Sequence, residues 1–333
     1  MSETFKIIGA EMSPFSVKVR SYFRFKQIAH QWIVRTPEIQ EQYKALFKIP
    51  VIPLLVSPDG AGMQDSTPIL ERIESRFAEP TAQPEDPALA FVSSLLEEFG
   101  DEWGNKWMFH LRWAREVDQL SSAWRLATVR SAAASEAERM QIAGAVRERM
   151  VDRVWFVGSN ETTAPQIESG FDQALQQLEL HLQNRCYLLG DRPALADFGL
   201  APQIYNAWTD PTGGALISAA YPSVLAWIQR MLFPRVEGDF EGWDSLQSTL
   251  APFLKTQVGE RFLPWSDANQ KALLAGEAEF TVALSDGAWT QKPQKYHAKS
   301  LEVLRDKYQP LTEIPSLTQL LEAVNCHSWL QRH

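Results

Sequence analysis

The sequence predicts an α/β domain followed by an all-α domain, with a C-terminal extension that holds a β-hairpin. Three observations predict it. Residues 1–79 set short apolar runs between helical patterns in the order βαβ, then ββα. Residues 88–255 carry helical periodicity almost throughout, and beyond residue 256 two strand-like runs flank an Asp-Gly pair. A chain of 333 residues is comfortable for two domains.

Phe5-Lys6-Ile7-Ile8-Gly9 reads as a buried strand ending at a glycine. Ser13-Pro14 then starts a helix, because serine caps well and proline suits the first helical position, where its missing N–H would go unused. His30–Val34 is the second strand, Val51–Val56 the third, and Ser57-Pro58-Asp59-Gly60 a turn. Met63 and its neighbours return as a short strand, and Thr67 to Phe77 is a helix. The order suggests a small mixed sheet covered by helices, as in the thioredoxin fold. Pro80, Pro84 and Pro87 lie among polar residues and mark a linker over Glu79–Pro87. In the helical region Phe171, Leu175, Leu178 and Leu182 share one helix face. Pro211-Thr212-Gly213-Gly214 and Phe233-Pro234 read as loops. In the extension, 256–333, Phe280–Leu284 and Ala288–Gln291 read as a hairpin turned at Ser285-Asp286-Gly287, with a helix over His297–Tyr308.

Composition excludes several function classes. The net charge of −9 argues against nucleic-acid binding, which wants a basic patch. No apolar run spans a bilayer, and the N-terminal residues show no basic-then-apolar leader, so a cytoplasmic protein without membrane contact is expected. Cys186 and Cys326 form no CxxC and read as reduced and structural. Six histidines show no ligand spacing, so no metal is expected. Twelve tryptophans point to aromatic packing and an aromatic-lined pocket.

Three motifs carry chemistry. Met12-Ser13-Pro14-Phe15-Ser16 puts a hydroxyl at a strand-to-helix turn, where N–H groups and the helix dipole favour an anion such as a thiolate. Val51-Ile52-Pro53-Leu54-Leu55 puts a proline ahead of a strand. Gln64-Asp65-Ser66-Thr67 puts an acid and a hydroxyl at a helix start, where an anion binds readily. In this order they resemble the glutathione site of a glutathione transferase. Ser13-Pro14-Phe15-Ser16 followed by Val17-Lys18-Val19-Arg20 is similar to the Tau class, in which the serine before the proline is catalytic. The resemblance implies Ser13 as catalytic residue and glutathione as co-substrate, with Phe15, Ile52, Pro53, Asp65 and Ser66 binding it. Ile52-Pro53 would match the family's cis-proline, presenting the backbone of Ile52 to the cysteinyl unit. Asp65 and Ser66 would take the γ-glutamyl end. Read locally, Ser13 is also a plain N-cap, and one hydroxyl can both accept and donate. Ser16 is the competing hydroxyl, Ile49-Pro50 has the same local look as Ile52-Pro53, and Gln64 could share the part of Asp65, which is shorter than the family's usual residue.

Tyr187–Phe198 resembles the family's conserved folding element, with Ala194 where a capping hydroxyl usually stands and Asp197 bonding back to the backbone. Trp107, His110 and Trp113 are the candidate lining of an electrophile pocket, with core packing as the even alternative. Arg112 pairs with either a glutathione carboxylate or an acidic neighbour. The extension, including Gln291–His297, is similar to the tail of longer bacterial glutathione-transferase-like proteins. Trp265, Phe280 and Trp289 suggest that it packs on the helical domain and narrows the electrophile pocket. The resemblance implies a homodimeric detoxification enzyme conjugating glutathione to a hydrophobic electrophile. A glutathione-dependent isomerase, dehalogenase or ether-cleaving enzyme, or a non-enzymatic ligand-binding or interaction protein, are the rivals.

Overall fold

The computed structural model describes residues 4–131 and 133–332. Strand β1 (Phe5–Gly9) leads through helix α1 (Pro14–Phe25) to β2 (His30–Val34), which pairs parallel with it from Phe5 opposite His30 to Gly9 opposite Val34. After α2 (Pro37–Gln42) come β3 (Leu54–Val56), β4 (Gly62–Gln64) and α3 (Ser66–Arg76). Both later pairings are antiparallel, and the sheet order is β2-β1-β3-β4. This is the mixed thioredoxin-like sheet, with Val17, Tyr22, Ile69 and Leu70 of α1 and α3 buried in the main core. The second sheet face is covered by the α2 segment: Ile8, Leu54 and Val56 pack on Ile39, Tyr43, Leu46 and Phe47. The third strand begins at Leu54 rather than Val51, since Pro53 has no N–H for a ladder.

The helical region runs through α4 (Pro87–Phe99), α5 (Asn105–Ala114), α6 (Glu116–Arg130) and α7 (Glu136–Val151). It continues with α8 (Ala164–Leu182), α9 (Leu195–Trp208), α10 (Pro211–Ala220), α11 (Pro222–Arg230) and α12 (Trp243–Phe253). Phe171, Leu175, Leu178 and Leu182 of α8 are all buried. Buried α9 is the central post. A Cβ on its Gly199 would stand 2.5 Å from the Glu97 carbonyl of α4, so the close crossing of α4 and α9 needs the glycine. Asp197 accepts from the backbone N–H of Ala194 (2.8 Å) and Leu188 (2.9 Å) and from the Trp227 indole (2.8 Å), which holds the start of α9 without a capping hydroxyl. Pro211-Thr212-Gly213-Gly214 is not a loop. It opens α10, with Pro211 in the first turn, and a Cβ on Gly213 would lie 2.2 Å from the Ala207 carbonyl. These glycines serve close approach rather than a turn.

The extension adds α13 (Leu263–Ala275), the hairpin β5 (Phe280–Leu284) and β6 (Gly287–Gln291), α14 (Ser300–Tyr308), α15 (Pro315–Ala323) and α16 (His327–Leu330). The hairpin closes Leu284 on Gly287, one residue earlier than expected, with Gly287 at φ +132°. Residues 295–299 form a 3-10 turn ahead of α14, so the helix expected from His297 starts at Ser300.

A tryptophan wall fixes this extension to the helical region. Trp265 and Trp289 both donate indole N–H to Gln291 Oε1, at 3.0 and 2.8 Å. Lys106 of α5 lies 3.7 Å from the Trp265 ring centre and 5.6 Å from those of Trp103 and Trp289. Burial pushes its ammonium well below the ordinary range, against the pull of three ring faces. Farther on, Tyr308 packs on Phe91 of α4 and Lys307 pairs with Glu71 of α3 at 2.8 Å.

Candidate active site

Two cavities meet at Ile52, on either side of the turn that precedes β3. The first, about 360 Å³, is bordered by Phe15, Ile52, Pro53, Asp65 and Ser66. The second, about 520 Å³, is bordered by Met12, Ser13, Arg35, Ile52, Leu126 and Arg130. All six N-terminal residues singled out in the sequence therefore line one or other of two neighbouring cavities, with Ile52 on a wall of each.

Local chemistry explains their placement. Ser13 caps α1, its Oγ accepting the Ser16 N–H at 3.3 Å, which leaves its own proton free to donate into the second cavity. Ser16 does not compete: it is buried against β1, where a Cβ on Gly9 would meet its side chain at 2.8 Å. The turn is clamped from several sides. Glu11 takes two hydrogen bonds from Arg20 (2.6 and 2.8 Å) and one from Tyr205 (3.1 Å). Arg112 of α5 donates to the Met12 carbonyl at 2.8 Å and to Asp210 at 2.7 Å. Of the two partners open to Arg112, the acidic neighbour is the one it has.

The Ile52–Pro53 peptide bond is cis; among the described residues the other cis bond is Glu79–Pro80, and Ile49–Pro50 is not one. Gln64 holds the segment before it, accepting from Lys48 N–H (2.8 Å) and donating to the carbonyls of Ile49 (2.9 Å) and Val51 (2.8 Å). Its amide is thereby committed to the loop and does not share the part of Asp65. Asp65 stands at φ +78°, a left-handed conformation uncommon for a residue with a side chain and characteristic of functional turns. Its carboxyl makes no cap hydrogen bond, and burial holds it above the usual carboxylate range.

Behind Asp65 and Ser66 lies a charge network that the sequence did not reveal. Lys18 of α1, almost fully buried, donates to Asp101 Oδ2 at 2.5 Å, to Glu97, and to Thr67 at 3.1 Å. Thr67 in turn donates to Glu97 at 2.6 Å. Burial opposes the ammonium, but the carboxylates of Asp101 and Glu97 override it and raise the Lys18 pKa. Asp101 sits in the π-helical turn Gly100–Gly104 that joins α4 to α5, a kind of irregularity that recurs at functional sites. Its Oδ1 is buried without a hydrogen-bond partner, on the wall of the first cavity. Burial raises Asp101 to about 7, and burial with the neighbouring carboxylates raises Glu98 to about 8.

The cleft is thus polarised. Its first cavity is bordered by Asp65, Glu71, Glu98, Asp101 and Glu102. The second carries Arg35 and Arg130, and the Arg130 charge adds to burial in lowering the Arg35 pKa. Beside that pair, Leu126 and Val129 of α6 give an apolar wall, with Val129 39% exposed. Their spacing of three on one helix face was the available signal for this wall.

The candidate electrophile lining is corrected. Trp107, His110 and Trp113 are 1%, 2% and 1% exposed and border neither cavity. Trp107 packs on Phe99 and Phe171, Trp113 on Ala123 and Val146, and His110 bonds to Ser159 (2.8 Å) and Glu168 (3.0 Å). An aromatic stripe of this kind packs, and a pocket wall needs accessible surface that these side chains lack. The extension is corrected too. Trp265, Phe280 and Trp289 are buried as packing residues, and the extension reaches the first cavity, through Tyr296, Lys299, Ser300 and Val303, rather than the second.

The model for the glutathione S-transferase N-terminal domain matches residues 7–81, and that for the glutathione S-transferase C-terminal domain matches residues 133–230. The chain belongs to the glutathione S-transferase family. Among solved structures, a glutathione S-transferase from Rhodospirillum rubrum F11 is 19% identical, over 67% of this chain and 86% of that one, with a TM-score of 0.44. The beta-etherase LigF from Sphingobium sp. strain SYK-6 is 18% identical over 69% and 95%, with a TM-score of 0.48. A glutathione S-transferase from Methylobacillus flagellatus KT with GSH bound is 18% identical over 68% and 94%, with a TM-score of 0.40. At these identities the likeness is one of fold. No curated protein matches the chain. Among the described residues no helix is long and apolar enough to cross a membrane.

Proposed function

We propose that this protein is a glutathione transferase, conjugating the thiolate of bound glutathione to an electrophilic small molecule. The observation that carries the reading is the polarised cleft hinged at Ile52. Glutathione carries its one ammonium, beside an α-carboxylate, at its γ-glutamyl end and a lone carboxylate at its glycyl end. The acidic first cavity suits the former and the Arg35–Arg130 side the latter, which leaves the cysteinyl unit at Ile52 and its sulfur beside Ser13. In this reading Ser13 donates its free proton to the thiolate at the N-terminus of α1, where the helix dipole lowers the thiol pKa further. Ile52 aligns the cysteinyl backbone, Pro53 and Phe15 shape the groove, and Asp65 and Ser66 hold the glutamyl end. The electrophile then lies on Leu126 and Val129. Preorganised donors of this kind act chiefly by stabilising the anion. Homodimeric assembly and a cytoplasmic detoxification role extend the proposal on family resemblance alone, and the mass in solution by light scattering tests the first.

The deciding experiment is calorimetric titration of glutathione into wild type and Ser13→Ala, with thiolate absorbance followed in the same samples. Wild type binds and forms thiolate; Ser13→Ala binds within a few-fold, forms none at neutral pH, and loses about 10²-fold in kcat, the usual consequence of deleting one anion-stabilising donor. Absence of glutathione binding by wild type defeats the proposal.

The pH dependence follows from the raised carboxyls. Asp101 and Glu98 are flanked by Lys18 on α1, by Glu97 on α4 and by Asp65, with Lys307 of α14 on the outer side. A carboxyl with a raised pKa is partly protonated at pH 6, and a ligand ammonium favours its ionised form. Affinity for S-methylglutathione, which has no thiol to titrate, should therefore rise as pH passes from 6 through about 7 and 8, with proton uptake by the buffer on binding. Calorimetry in buffers of different ionisation enthalpy reads that proton directly, and a pH-independent affinity would remove the acidic cavity from the binding site.

A further inference from the structure

The first cavity is closed on one side by a segment that lies outside both matched family domains. Tyr296, Lys299, Ser300 and Val303 line it together with Asp65, Ser66 and Asp101. The segment is fixed at both ends. Upstream, Gln294 exchanges two hydrogen bonds with Asn269 of α13, at 2.7 and 3.1 Å, and His297 contacts Glu102. Downstream, Lys307 holds Glu71 at 2.8 Å, and Arg305 binds Asp267 at 3.1 Å and Gln270 at 2.9 Å. Such latching leaves the lining residues preorganised rather than loosely draped.

The charges facing one another there call for a zwitterion. Five carboxylates border the cavity, and Lys299 is the lysine on its wall. Lys18 and Lys307 are already engaged with Asp101, Glu97 and Glu71. Among the described residues Lys299 has no carboxylate at ion-pair distance, while the buried Asp101 Oδ1 has no donor. The buried Asp101 Oδ1 and the Lys299 ammonium therefore both stand without a partner on the walls of the same cavity. Tyr296 lines the same cavity, near enough to Asp65 and Asp101 for both carboxylates to add to burial in raising its pKa.

We infer that the extension completes the amino-acid end of the ligand site: Asp101 and Asp65 take the α-ammonium of a γ-glutamyl group, Lys299 takes its α-carboxylate, and Tyr296 covers the pair. This rests on the glutathione reading above and deepens it, because it makes the extension a specificity element that selects γ-glutamyl thiols over thiols without that group. Lys299 is a positioning and specificity residue; it lies in the first cavity, apart from Ser13, and does not act on the sulfur.

The test is calorimetry on the full chain with glutathione, γ-glutamylcysteine and cysteinylglycine, comparing wild type, Lys299→Ala and Lys299→Arg. Lys299 is exposed on the surface, so its truncation leaves the core packing intact. Expected is a loss of about tenfold in affinity for glutathione and γ-glutamylcysteine with Lys299→Ala, near-complete retention with Lys299→Arg, and cysteinylglycine within twofold throughout; one charge-assisted hydrogen bond accounts for a change of about that size. Equal loss for all three thiols, or no loss for any, overturns the inference while leaving glutathione binding by wild type in place. If wild type itself binds none of them, the glutathione reading fails, and this inference falls with it.

Discussion

Lys18→Met is expected to destabilise the protein by about 3–5 kcal/mol, the largest effect of any single change away from the apolar core. The side chain is 1% exposed and meets Glu97, Asp101 and Thr67 at the meeting of α1, α3 and α4. Methionine replaces the volume but not the charge. Two carboxylates that share one ammonium are then left facing each other in a dry site. Their remaining donors, Thr67 to Glu97 at 2.6 Å and Ser66 to Asp101 at 3.4 Å, are neutral and do not balance a second negative charge. At neutral pH the pair takes up a proton or the helices part. The measurement is the urea midpoint of wild type, Lys18→Met, and the triple variant Lys18→Met/Glu97→Gln/Asp101→Asn. The triple variant should recover at least half the loss, since it removes the unpaired charges rather than the packing. A single variant within about 1 kcal/mol of wild type would mean that the network is solvated and not structural.

Arg112→Ala should come behind it, at about 2–3 kcal/mol through lost charge-assisted hydrogen bonds, and should also damage the proposed chemistry. The guanidinium is 4% exposed and fully used: Asp210 on Nε, the Met12 carbonyl on Nη1, and both the backbone and side-chain oxygens of Asn206 on Nη2. Asp210 keeps Arg125 and Ser122, so the acid is not stranded; the Met12 carbonyl loses the Arg112 donor. That carbonyl precedes Ser13, so the turn loosens where the thiolate would lie. Expected are a fall in kcat and in thiolate absorbance at saturating glutathione, with a smaller change in glutathione affinity, because the first cavity is untouched. Arg112→Lys should restore less than half of either loss, since an ammonium cannot span three partners in the plane of a fork. Loss of stability with unchanged thiolate formation would confine Arg112 to folding.

What the sequence made legible was whatever is encoded locally. Apolar runs bounded β1 and β2, the serine and proline at 13 and 14 marked the start of α1, and the tight turn marked the late hairpin. Three motifs in order placed Ser13, Ile52 and Asp65 in one region. Helix α2 escaped because its six residues are too few to show a period. The start of α10 escaped because Pro211 and two glycines read as punctuation, although proline in the first turn had already been the sign of α1. Lys18 was opaque for a different reason. A lysine between Val17 and Val19 gives no local hint of carboxylates 79 and 83 residues away in the chain. The aromatic stripe of α5 has the same periodicity whether it faces a core or a cavity, and the packing of α6, α7 and α8 against it decides.

The tryptophan wall behind the extension also makes the molecule self-reporting. The Trp103 ring lies 5.3 Å from that of Trp289 and 5.8 Å from that of Trp265, so one indole of the helical region and two of the extension form a single chromophore cluster. Indoles that close share their excited states, and their combined circular dichroism is a property of the spacing rather than of any one ring. The spectrum of this protein therefore carries a continuous optical record of whether its extension is seated, with no label attached and no ligand required.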